Sequence, residues 1–320
     1  MNKVLFFLLL ILLTPKLIAQ TCCSGGVPMA SNIGLPSSEK GTWQFSLSYD
    51  LNVLETLKDG KTVLDDDTRK RTTKAILSQI GYTVSDKVSV DLFLSHIQQI
   101  RELSPIGLPT NSDETTGLGD AVLLLKYKFY KNYQIGIGVK APLGDSDKRN
   151  SIGLRLGADL QPGSGSWDML YWFNGSESLK FRKSMALSGT IIYRVSGENK
   201  NYLGSQVYKF GNEFQAIIGI GDRFVIGSKT IDPSISFKYR KSVADQTNAN
   251  NSQLREVPST GGEWIFIRPA VSLNLNSTVS LQTTLELPIY ANLVNTQVTP
   301  TYRVNIGAFI TLKKQKILNP

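Results

Sequence analysis

The sequence predicts an all-β protein, a transmembrane antiparallel β-barrel of about 12 strands with short periplasmic turns and long outer loops. Three observations lead there: apolar and polar side chains alternate along most of the chain, the chain opens on a signal peptide, and its links alternate short and long. Segment 121–140, AVLLLKYKFYKNYQIGIGVK, carries the alternation most plainly. Ala121, Leu123, Leu125, Tyr127 and Phe129 fall on one face of an extended strand, while Val122, Leu124, Lys126 and Lys128 fall on the other. After YKN, Ile135, Ile137 and Val139 share a face opposite Gln134, Gly136, Gly138 and Lys140. A period of two is the strand period. The segment reads as a β-hairpin with one apolar face.

The elements follow in chain order. Residues 1–19 have Lys3 at the start, an apolar run from Val4 to Leu13, and Ala19 as the small residue before cleavage. That is a signal peptide, too short to span a membrane as a helix. Residues 20–40, QTCCSGGVPMASNIGLPSSEK, are small and Pro/Gly-rich and read as a plug-like or periplasmic segment carrying Cys22 and Cys23. The residues before Cys22 do not suit a lipid-modified cysteine. A vicinal disulfide, a bond to a periplasmic partner and a metal contact remain as uses for the pair, and a structural disulfide is expected. Two thiols are too few for a closed zinc site, so no metal is expected.

Strands are expected near 41–54, 70–83, 88–101, 118–129, 133–142, 166–174, 180–195, 206–219, 223–240, 263–275, 278–290 and 302–312. Short links are expected at 84–87, 130–132, 175–179, 220–222 and 276–277, and long ones at 55–69, 102–117, 143–165, 196–205, 241–262 and 291–301. An even number of strands returns both ends of the barrel, 41–312, to the periplasm, with a basic tail at 313–320. Trp43, Tyr127, Phe129, Tyr130, Tyr133, Tyr193, Trp264, Tyr290 and Tyr302 sit near strand ends, where aromatic rings settle at the lipid–water interface. A soluble β-sandwich would use strands of about five or six residues. Strands this long, polar along one whole face, favour lipid on the other.

The mean hydropathy is −0.10 and the net charge is +9. The basic residues are spread along strands and turns without forming a block. This pattern speaks for outer-membrane lipid headgroups as a partner and against nucleic acid. The polar strand faces send Asp50, Asp91, Lys126, Lys128, Lys140, Arg194, Glu213, Lys238, Arg268, Glu286 and Arg303 into the lumen, with Lys74, Arg240 and Asp232 assigned there too. Their cationic excess would favour anionic solutes in an open pore. A salt-bridge network filling a narrow barrel fits the same residues.

Catalytic parts are sparse. The chain has one histidine, His96. Its neighbour Ser95 points to the opposite face of a strand, as does Asp91, five residues away. No G-x-S-x-G elbow is present, GIGVKA lacks the helix of a dinucleotide site, and LDDD at 64–67 lacks calcium-loop spacing. No enzyme activity and no cofactor are expected.

Three stretches, GLGDAVLLLKYKF (117–129), IGIGVKAPLGD (135–145) and LQPGSGSWDML (160–170), resemble the outer-membrane transporter-like β-barrel family of the meta-pathway of phenol degradation. The matching residues are Gly117, Gly119 and Asp120, then Pro142 and Gly144, then Gly163, Gly165, Ser166, Trp167 and Asp168. The CCSGG start is similar to secreted barrel proteins of Bacteroidetes-type bacteria. The resemblance implies a Gram-negative, porin-like passive channel or transporter for a small solute of hydrophobic or aromatic class. A closed barrel acting as an anchor or partner-binding platform, and an outer-membrane lipid hydrolase, are the alternatives.

Overall fold

The chain is described here from a computed structural model, which covers residues 34–35, 38–105, 107–248 and 253–313. The signal peptide, Cys22, Cys23 and the tail beyond Lys313 lie outside the described residues. Eighteen strands run in chain order. β1 (Trp43–Asp59) turns into the short β2 (Thr62–Val63), followed by β3 (Arg69–Thr83) and β4 (Val88–Leu103). β5 (Asn111–Leu118) and β6 (Ala121–Tyr130) are two halves of one strand, both paired with β4. Then come β7 (Tyr133–Ala141), β8 (Asp168–Leu179), β9 (Arg182–Val195) and the two-residue β10 (Tyr208–Lys209). β11 (Glu213–Gly221) and β12 (Phe224–Ile226) lead into β13 (Lys229–Ser242). Beyond β14 (Gln246–Thr247) and β15 (Arg255–Glu256), the chain finishes with β16 (Gly262–Asn274), β17 (Val279–Leu293) and β18 (Thr296–Leu312).

Setting aside β2, β10, β12, β14 and β15, and taking β5 with β6 as one, twelve strands form a closed antiparallel barrel. β1 pairs with β18 from Trp43↔Leu312 to Asp59↔Thr296, and β11 pairs with both β9 and β13. Closure leaves no open sheet edge around the ring, which is what lipid demands of a spanning sheet.

The alternation decides which face looks out. Leu47, Leu123, Ile137, Ile218 and Ile306 are large apolar side chains with roughly half their surface exposed. Such a belt would be costly in water and is at home in hydrocarbon. At the periplasmic end Trp43 meets Tyr82, and Tyr133 meets Phe129, Tyr130 and Phe173 in a second ring group. Leu123→Arg, in mid-belt, is therefore expected to lower barrel stability by about 2–4 kcal/mol. Reversible urea unfolding in lipid would measure it, and an inward apolar control would not show the same dependence on depth in the bilayer.

Four expectations are corrected. The connection foreseen at 291–301 is a two-residue turn, because β17 and β18 continue above the lipid and Asn295 takes a left-handed φ of 61°. Residues 206–212 do not belong to the barrel strand. Tyr208 and Phe210 share the even-numbered phase of the outward residues Phe214 and Ile218, so periodicity alone could not separate them, yet both are buried in an outer cap. Lys74 faces outward, since Arg71, Thr73 and Ala75 are the buried face of β3. Trp264 is fully buried in the lumen instead of lying at the interface, and its indole donates to Thr299 Oγ1 at 2.8 Å.

Candidate functional site

The candidate site is the lumen, where charges from non-adjacent strands meet. On one wall, near the periplasmic end, Lys126 of β6 pairs with Asp91 of β4 at 2.7 Å. Gln79 of β3 donates to the same carboxylate at 3.2 Å. The N-terminal segment enters here. Leu35 N–H donates to Asp91 Oδ2 at 2.9 Å, and Lys126 Nζ donates to Leu35 C=O at 2.6 Å. Leu35 is 3% exposed. Gly34 is required beside it: its φ is +94°, and a Cβ there would lie 2.5 Å from the Trp172 indole. Trp172 belongs to an inward apolar cluster with Val122, Leu124, Leu170 and Ile192. One backbone segment thus covers both the charged and the apolar parts of this wall.

Toward the outer end, Lys140 of β7 lies 2.8 Å from Asp120 and 3.0 Å from Asp168 of β8. Asp120 also accepts from Gly144 N–H at 3.1 Å, Ser164 N–H at 3.0 Å and Ser164 Oγ at 2.5 Å. The chain continues round the wall as Asp168, Arg194, Glu213 and Arg240, with Glu213 to Arg240 at 3.0 Å. The opposite wall holds Glu286 between Lys238 at 2.5 Å and Arg268 at 3.0 Å, and Arg303 on Asp50 at 2.9 Å. Lys128 is half-buried at the periplasmic rim, where it pairs in register with Gln134.

The charge balance differs from the cationic excess foreseen. Among the described residues, seven buried cations (Arg71, Lys126, Lys140, Arg194, Lys238, Arg240, Arg268) accompany seven buried acids (Asp50, Asp91, Asp120, Asp159, Asp168, Glu213, Glu286). Arg303 adds one cation beside Asp50. Asp120, Asp159, Asp168 and Arg71 had not been assigned to the lumen. Asp120 and Asp168 stand where strands meet loops and alternation fails as a guide; Asp159 is in a loop. The buried lumen charges are therefore close to balanced, most of them lying beside a counter-charge.

The outer mouth is covered by residues 142–167, 196–212, 243–248 and 253–261. The 3-10 turn Ala158–Leu160 brings Asp159 to Arg71 of β3 at 2.7 Å, and Thr115 Oγ donates to Leu160 C=O. Ala158, Tyr208, Phe210 and Val257 pack together with Tyr202 against them, above the small β10–β14–β15 sheet. Within this cap Asp245 accepts from Tyr208 OH at 2.6 Å and Gly211 N–H at 2.7 Å. Burial pushes the Asp245 carboxyl up to about 6, even though both hydrogen bonds favour its charged form. A raised carboxyl pKa means the folded cap holds a proton that the unfolded chain gives up near pH 4. Cap stability is then expected to fall as pH rises from about 4 through 6 and to level off above. Near-UV circular dichroism of the cap tyrosines against pH would show this, and Asp245→Asn should flatten the curve.

His96 is exposed on the outside of the wall, whereas Ser95 and Asp91 are buried on the inside. Neither a serine–histidine nor a histidine–aspartate pair forms.

A closed twelve-stranded barrel with an apolar belt, aromatic residues at the periplasmic rim and a charged lumen is an outer-membrane β-barrel. More narrowly, the chain belongs to the family described as the MetA-pathway of phenol degradation, whose profile matches residues 93–293. It resembles an outer-membrane channel from Pseudomonas putida F1 at 15% identity, covering 87% of this chain and 97% of that one with a TM-score of 0.61. The CymD monoaromatic hydrocarbon channel is 9% identical over 87% and 90% of the two chains, with a TM-score of 0.45. A Pseudomonas aeruginosa FadL homologue is 10% identical over 93% and 98%, with a TM-score of 0.40. No curated protein matches the sequence.

Proposed function

We propose that the protein is a passive outer-membrane channel or transporter for a small solute of hydrophobic or aromatic class, held closed by its own N-terminal segment. The observation that carries this is Leu35 and Gly34 lying on the Asp91–Lys126 pair and against Trp172. The segment is held through two main-chain hydrogen bonds and one apolar contact surface. Those are contacts a small apolar solute could compete for on the Trp172 side. Its removal uncovers Val122, Leu124, Leu170, Trp172 and Ile192, an apolar strip inside an otherwise polar lumen. Family membership and the likeness to the Pseudomonas putida F1 outer-membrane channel agree with a transport role.

The test is single-channel conductance in planar bilayers, comparing mature protein with a variant lacking residues 20–40. Heat-modifiable gel migration would verify that both fold. The closed form should pass little current, and the deletion should raise conductance several-fold. A second reading, a closed barrel serving as an anchor, draws support from the paired charges that fill the lumen. It predicts a folded, segment-deleted barrel that stays silent.

A further inference from the structure

The N-terminal segment lies against the β3–β4–β6–β8 wall, but the lumen beside it is open. A cavity of about 560 Å³ lies against the inward faces of β9, β11, β13, β16 and β17. That is the size of a small-molecule site. Its character is unusual for a protein whose fold-mates include hydrocarbon channels. The side chains that close on it are hydroxyls and an amide: Ser188, Thr190, Ser236, Ser272, Gln282 and Thr284. No aromatic side chain is among its lining residues, and its inward apolar contribution is confined to Ile217, Ala186 and Ala270.

Three serine hydroxyls are also under-used, whereas Thr190 Oγ1 accepts from Asn174 at 2.9 Å. Ser188 Oγ reaches Gly219 C=O at 3.4 Å, Ser236 Oγ reaches Arg268 C=O at 3.5 Å, and Ser272 Oγ reaches Leu281 C=O at 3.4 Å. These lengths are beyond the ordinary hydroxyl range of about 2.5–3.0 Å. Each group can turn to a water or a solute at little loss. Lys183 also lines the cavity, and the other charges around the hydroxyls are already engaged. Arg223 holds Asp232 at 2.7 Å, Arg182 holds Asp222 at 2.6 Å, and Arg268 sits on Glu286 at 3.0 Å. A wall of weakly bonded hydroxyls among mostly paired charges offers hydrogen bonds with little net field, and so suits neutral polar molecules better than ions or hydrocarbon.

We infer that this serine-walled cavity is a hydrated binding and exit vestibule for small uncharged solutes that carry a hydroxyl or carbonyl group. The inference rests on the channel reading above and narrows it: the solute leaves for the periplasm along a polar wall, so it bears a hydrogen-bonding group in addition to any apolar part.

The test uses full-length mature protein with Cys22→Ser and Cys23→Ser, and a single cysteine introduced as Ser236→Cys or Ser188→Cys. Each folded barrel is reacted with a bulky neutral methanethiosulfonate, so that folding precedes the block. Liposome swelling is then followed with glycerol and arabinose as solutes, in the presence and absence of residues 20–40. In the protein lacking residues 20–40, labelling at either position is expected to slow swelling at least five-fold, with the unlabelled cysteine variant behaving as its unlabelled serine counterpart. Complete labelling with unchanged swelling overturns the vestibule while leaving the channel intact. Failure of the thiol to react in the folded barrel overturns it as well, because the wall is then not in contact with water. If neither the parent nor the segment-deleted protein passes any solute, the channel reading falls and takes the vestibule with it.

Discussion

Asp120→Ala is expected to lower the stability of the barrel by about 3 kcal/mol or more and to expose loop 142–167 to proteases while the strands remain folded. Asp120 is 1% exposed and accepts from four groups: Lys140, Gly144 N–H, Ser164 N–H and Ser164 Oγ. Removing its carboxylate leaves a buried ammonium short of one counter-charge and two backbone donors without an acceptor. Lys140 keeps Asp168 at 3.0 Å, which holds the loss to the lower end of what breaking a buried pair costs. Farther along, the loop is tied by Asp159 on Arg71 and by Thr115 on Leu160 C=O, so the loosening is expected around Gly144 and Ser164. Gly144 and Gly163 touch backbone to backbone there, and a Cβ on Gly163 would stand 2.3 Å from Gly144 C. Asp120→Asn keeps an acceptor and should lose about 1–2 kcal/mol. Urea unfolding with limited proteolysis reads both effects. An alanine variant as stable and as protease-resistant as the parent would show that the clasp is not what holds the loop.

Asp91→Ala is expected to act on conductance more than on fold. Asp91 is the only acceptor found for Leu35 N–H, and it is the counter-charge of Lys126. Without it Leu35 keeps the bond from Lys126 to its C=O and Gly34 keeps the Trp172 contact, beside an ammonium that is buried and now uncompensated. Water must enter to solvate that charge, and the segment is the element that can yield. Single-channel current should rise several-fold, approaching that of the 20–40 deletion. Combining the two changes should add nothing further, since both remove the same contact. Additive gains would mean that Asp91 closes the pore by a route independent of the segment. Asp91→Asn, which can still accept from Leu35 N–H, should fall between the two.

How far the sequence revealed this arrangement depends on the distance over which each signal acts. The 121–140 hairpin forms as read, with Lys126 and Lys140 inside and Leu123 and Ile137 outside, because alternation is a property of one strand. It faltered where apolar residues occupy both faces: Leu170 and Trp172 point inward beside outward Met169 and Tyr171. It misled at Tyr208 and Phe210, whose phase matches an outward strand but whose partners Ala158 and Val257 belong to other loops. The family-like residues Asp120, Gly144, Gly163, Ser166 and Asp168 were noted as separate motifs, while their meeting around Lys140 is a tertiary fact.

The amino-acid sequence by itself determined the all-β barrel, its strand number, and which side chains of most strands face lipid. Those follow from a period of two and from the lengths of the links, both local quantities. Tertiary structure alone decided that Arg303 meets Asp50, that Lys238 and Arg268 share Glu286, that the lumen is close to neutral, and that Leu35 lies on the Asp91–Lys126 pair while a cavity opens against β9, β11, β13, β16 and β17. The physical reason is register. Partners such as Asp50 and Arg303 are brought together by closure of β1 on β18, and a pattern within a single strand carries no record of the height at which its neighbour will pair.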